Sequence, residues 1–129
     1  MIIKTALLII AGFFLSLNAY SQKAEVLYFK ATLPCCPGRA CNQLEAAVKS
    51  VIEDNYSDKD VVFRTIHIAM ADNAELVEKH NGRSQKVVIV AKKDETVTDV
   101  SDIVRTYSRN RNLEDLKTKL TEQINSTIE

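Results

Sequence analysis

Glu25-Val26-Leu27-Tyr28-Phe29-Lys30-Ala31 is followed after a short gap by Cys35-Cys36-Pro37-Gly38-Arg39-Ala40-Cys41. The first segment is apolar without interruption from Val26 to Phe29, the pattern of a strand covered on both faces. The second holds all 3 cysteines of the chain and leads into Leu44, Val48, Val51 and Ile52. Those four recur at helical spacing, with Glu45, Lys49 and Glu53 between them, and so form one apolar stripe. Pro37 suits a first helical position, where its missing N–H is no loss, and Cys36 then becomes the N-cap. A thiol at that junction faces the positive end of the helix dipole and the free N–H groups of the first turn, which favour the thiolate. Arg39, folded back over the loop, would add to that effect. Cys41 falls one turn further in, on the inward side.

Working outward, the first helix ends near Asp54-Asn55, and Val61 to Ala69 reads as the second strand because it is β-branched and aromatic. Asp72 with Glu75 resembles a capping box for a short second helix, which Leu76 and Val77 begin and Asn81-Gly82 close. Lys86 to Lys92 is a third strand, Lys93-Asp94-Glu95 a solvated turn, and Thr96 to Val100 a fourth, antiparallel strand. Leu113, Leu116, Leu120 and Ile124 make the stripe of a last helix, with Asn112 as its N-cap. The order β-α-β-α-β-β-α allows few topologies, since parallel crossovers are right-handed. It predicts an α/β domain with a central mixed sheet of about four strands flanked by helices.

Residues 1–21 read as an export signal: Lys4 is the basic start, Thr5 to Leu17 is almost wholly apolar, and Ala19-Tyr20-Ser21 is a cleavage site. The apolar run is shorter than the roughly 20 residues of a spanning helix, so no stable membrane span is expected after cleavage. Residues 22–129 then form a single domain that is periplasmic or secreted. The chain carries 17 basic and 17 acidic side chains, which gives no electrostatic reason to expect nucleic acid. Export places the cysteines in an oxidising compartment, yet an odd number cannot all pair within one chain.

The element order, with cysteines where strand one meets helix one, resembles the thioredoxin-like superfamily. That resemblance implies thiol-disulfide exchange with a protein thiol or disulfide partner and no required cofactor. Cys36 would attack and Cys41 resolve the mixed disulfide, with Cys35 as an alternative partner. Two departures stand beside it. No two cysteines have the two-residue spacing of the family motif, and Ser84-Gln85 stands before strand three where thioredoxins carry a cis-proline, leaving more room for a bound ion. Cys35-Cys36-x4-Cys41 is itself similar to the motif of arsenite metallochaperones, which implies Cys35, Cys36 and Cys41 as three ligands for As(III) or another soft thiophilic ion. Tyr28 to Thr32, Asn73 to Lys79 and Tyr107 to Arg109 also resemble small exported bacterial thioredoxin-like proteins labelled nitrophenyl-compound nitroreductase subunit. No flavin or nicotinamide fingerprint supports that label here.

Other residues have simpler expectations. His67 is expected as a partly buried strand residue, His80 as a favourable group at a helix C-terminus, and Met70 and Tyr56 as packing residues. The cysteines have one too: a Cys36–Cys41 or Cys35–Cys41 disulfide that staples the loop to the helix. A loop so short gives less stabilisation than the roughly 3 kcal/mol of a 15-residue loop. A noncatalytic interaction module remains a third class of function.

Overall fold

The computed structural model describes residues 22–31, 37–56 and 60–129, with residues 37–41 described by their backbone alone. Strands β1 (Ala24–Lys30), β2 (Val61–His67), β3 (Val87–Ala91) and β4 (Val97–Asp99) form one sheet in the order β2-β1-β3-β4. β1 and β2 are parallel, with Ala24 opposite Val61 and Lys30 opposite His67. β3 runs antiparallel to both β1 and β4. Helices α1 (Pro37–Asn55), α2 (Ala74–His80), α3 (Ser101–Asn110) and α4 (Leu113–Ile128) flank the sheet. The chain is thus α/β with a four-stranded mixed sheet.

β1 is an inner strand, and its side chains alternate between two apolar environments. Val26 and Tyr28 enter a core with Val48 and Ile52 of α1, Val104 of α3, and Leu116, Leu120 and Ile124 of α4. Leu27 and Phe29 point the other way, against Ile66 and Val88, with Leu76 and Val77 of α2 packed over them. The four successive side chains are at most 2% exposed, which is why the sequence shows an apolar run there rather than alternation. Burial of each large side chain contributes about 1.5–3 kcal/mol.

α1 starts at Pro37 and ends at Asn55, where the proline and the apolar stripe place its limits. α4 is capped as expected: the Asn112 Oδ1 accepts from the Asp115 N–H at 3.1 Å. Leu113 shares the angular face of Leu120 but stands at the first helical residue, where it is 49% exposed, so the buried stripe begins at Leu116. β2 stops at His67 because its carbonyl accepts from the Met70 N–H (3.2 Å) and the Asn73 Nδ2 (3.0 Å), which turns the chain.

The capping box at Asp72 and Glu75 does not form. A 3-10 turn at Ala71–Asn73 precedes α2, whose N-cap is Asn73 with no side-chain cap. α2 does close at Asn81-Gly82: Asn81 is left-handed (φ 50°), and the Gly82 N–H reaches the Val77 carbonyl at 2.8 Å. Gly82 is required for another reason, since a Cβ there would overlap the Phe29 ring.

Met70 is exposed rather than packed. Tyr56 does pack against the main core, and its hydroxyl donates to the Asn125 Oδ1 at 2.7 Å. α3 is a helix that the periodicity of the sequence does not predict. No helix among the described residues is long and apolar enough to cross a membrane.

Candidate functional site

Cys35 and Cys36 lie outside the described residues, and Pro37, Arg39 and Cys41 are described as backbone at the start of α1. Three elements make up the described part of this region. β1 ends at Lys30, shortly before Cys35 in sequence, α1 carries Cys41 in its second turn, and the Arg83–Lys86 turn leads into β3.

At the end of β1 the Lys30 Nζ donates to the Glu45 Oε1 of α1 at 3.3 Å. The Thr65 hydroxyl of β2 donates to the Glu45 Oε2 at 2.9 Å. Both charged side chains are about four-fifths buried, 21% and 20% exposed. A carboxylate withdrawn this far from water is costly unless paired and hydrogen-bonded, and here it is both. The cluster ties β1, α1 and β2 together, and along the α1 backbone Glu45 stands one turn after Cys41. The sequence carried a signal for it: Lys30 shares a strand face with Val26 and Tyr28, and a lysine on a buried face calls for an acid from the covering helix.

The second wall is the turn that holds Ser84 and Gln85. The Lys86 N–H donates to the Arg83 carbonyl (3.0 Å), and the Gln85 N–H to the Phe29 carbonyl (2.8 Å). Gln85 has φ 68°, and no peptide bond among the described residues is cis. A glutamine in the left-handed region is uncommon and mildly strained. Ser84 and Gln85 border a small cavity of about 40 Å³ together with Leu44 of α1 and Ser101, Val104 and Arg105 of α3. The structure thus brings the turn beside α1, within a few residues of Cys41 in sequence.

Ser101 is buried because its hydroxyl accepts from the Val87 N–H at 3.0 Å. The Ser101 N–H donates to the Asp99 Oδ1 at 2.9 Å. Burial pushes the Asp99 carboxyl up, but the hydrogen bonds from Ser101, aided by Lys86 and Arg105, outweigh it and hold the group below the usual carboxylate range. On the other face His80 ends α2, packed with its ring centroid 6.0 Å from that of Phe29. Burial, then the charges of Lys79 and Lys86, lower its pKa. The shift disfavours the charged form that the helix dipole would favour, and the contact the ring makes is with Phe29. His67 is partly buried on β2, as expected.

Among the described residues no group of three or more His, Cys, Asp or Glu side chains is gathered for a metal ion, so a metal reading rests on the cysteines alone. In comparisons with known proteins, no family model, no curated protein and no solved structure matches this chain.

Proposed function

We propose that this chain is an exported, periplasmic or secreted, thioredoxin-like thiol protein that exchanges disulfides through Cys36. The observation that supports the reading is the helix over Pro37–Asn55, which Cys36 directly precedes in sequence. The sheet order β2-β1-β3-β4, with β1 and β2 parallel and the rest antiparallel, is consistent with a thioredoxin-like arrangement.

In the reductive direction the Cys36 thiolate attacks one sulfur of a partner disulfide. A mixed disulfide forms, and the partner's other sulfur leaves as a thiolate. Cys41 loses its proton and attacks the Cys36 sulfur, releasing the second partner thiol. Two electrons pass to the partner, and the Cys36–Cys41 disulfide needs an external dithiol to return to the reduced form. Alkylation rate against pH measures the Cys36 pKa, which should lie well below the ordinary value of about 8.5. Insulin reduction should fall to background in Cys36→Ser. An unperturbed pKa with no exchange refutes the reading.

The third cysteine supports a second reading. Cys35, Cys36 and Cys41 lie within one short stretch, and three thiolates suit a pyramidal soft ion such as As(III). Arsenite titration of reduced protein separates the two, because loss of Cys35 must weaken a trithiolate site sharply and leaves a Cys36–Cys41 exchange couple intact.

A further inference from the structure

The Arg83–Lys86 turn and the start of α3 border an open cleft of about 490 Å³. Its charged lining consists of Arg83, Lys86 and Arg105 against Asp99 and Asp102, a net charge of +1. These cations are engaged to different degrees. The Lys86 Nζ donates to the His80 carbonyl at 2.6 Å and lies 4.0 Å from the Asp99 Oδ2. Arg105 pairs with Asp102 at 2.6 Å, but that carboxylate is 94% exposed, and so open a pair is easily exchanged for another. The Arg83 guanidinium has no ion pair or hydrogen bond among the described residues.

The floor of the cleft is also open. Ser84 is exposed, and among the described residues neither its backbone N–H nor its carbonyl has a partner, whereas the N–H groups of Gln85 and Lys86 are both used. A guanidinium and a peptide group without partners among the described residues, beside an exchangeable guanidinium, suit a ligand that carries carboxylates on an extended backbone. The lining is polar throughout, which disfavours an apolar small molecule.

We propose that this cleft binds an extended acidic peptide segment of a partner protein, with Arg83 and Arg105 receiving its Asp or Glu side chains and the Ser84 backbone pairing with its main chain. The binding needs no thiol, so it stands or falls apart from the exchange reading.

The test is a titration of the whole ¹⁵N-labelled chain, kept reduced, with the capped peptide acetyl-Ser-Glu-Asp-Glu-Ser-amide. Its Gln-Asn-Gln counterpart and free glutarate serve as the other ligands. Saturable amide shifts should centre on Arg83–Lys86 and Ser101–Arg105. Arg83→Gln should weaken binding about tenfold, the loss of one charge-assisted contact, while the rest of the spectrum stays in place. Arg105→Gln should weaken it less, because Asp102 already competes for that group. Salt at about 0.5 M should also weaken it, and replacing all three cysteines by serine should leave it unchanged. Equal binding of the Gln-Asn-Gln peptide, indifference to Arg83→Gln, loss of binding in the cysteine-free chain, or absence of saturable shifts would overturn the proposal. Saturation by glutarate as tight as by the peptide would overturn the peptide assignment.

Discussion

The two faces of the sheet are built to different depths. On one, α1, α3 and α4 cover Val26, Tyr28, Val61, Val87 and Ile89, and the buried cluster extends across several helical turns. On the other, among the described residues, Leu27, Phe29, Ile66 and Val88 are covered chiefly by α2, a helix of 7 residues. The first face therefore draws its stability from many interdigitated side chains. The second depends on a few close approaches, above all Phe29 against Gly82 and His80.

The contrast makes ordered predictions. Leu120→Ala, which opens a cavity in the deep face where Leu120 is 0% exposed, should cost about 2–5 kcal/mol in urea unfolding. Gly82→Ala acts by excess rather than by loss: the new methyl overlaps the Phe29 ring, and such overpacking costs about 1–3 kcal/mol. If Gly82→Ala costs as much as Leu120→Ala, the thin face is as rigid as the deep one. Asn112→Ala removes the cap of α4 and should cost about 1 kcal/mol, visible as a lower midpoint with an unchanged urea slope.

The smallest effect is in pH. The His80 pKa is lowered in the fold, so the unfolded chain binds the proton more readily. Its contribution is complete above the unfolded value near 6.5 and is lost as pH falls through the lower folded value. Urea midpoints at about pH 7.5 and 5.5, on either side of the unfolded value, should fall more on acidification for the parent chain than for His80→Gln. Equal falls would remove His80 as the cause.

Much of this was readable from local pattern. The ends of α1, the inner position of β1 and the Asn112 cap follow from Pro37, the Val26–Phe29 run and the spacing of Leu116, Leu120 and Ile124. α3 was not readable, because Ile103, Val104 and Tyr107 give it only a short apolar stripe. Its N-cap, Val100, makes no side-chain bond, and its left-handed end falls on Arg111 rather than glycine. Asp72 and Glu75 misled for a related reason: the bonds from Met70 and Asn73 to the His67 carbonyl favour a tight turn at the site where a cap would begin.

The candidate site divides in the same way. The cysteine spacing and the place of Ser84-Gln85 before β3 are sequence features, and the structure sets that turn beside Leu44. The Lys30–Glu45–Thr65 cluster joins residues 15 and 20 positions apart, so it becomes visible only once α1 is laid over the sheet. Arg83 and Arg105 come together in the same fashion, through the return of β4 into α3.

The sheet order also bears on synthesis. β1 is made before the other three strands of its sheet, yet it lies between two of them. A nascent chain that has emerged as far as His67 can pair only one edge of β1, leaving the other edge, with its apolar side chains, without its final neighbour until Val87–Ala91 follows. Stalling in that interval would expose the strand edge most prone to pair with another chain, which makes the stretch between β2 and β3 the period in which a chaperone would have most to protect.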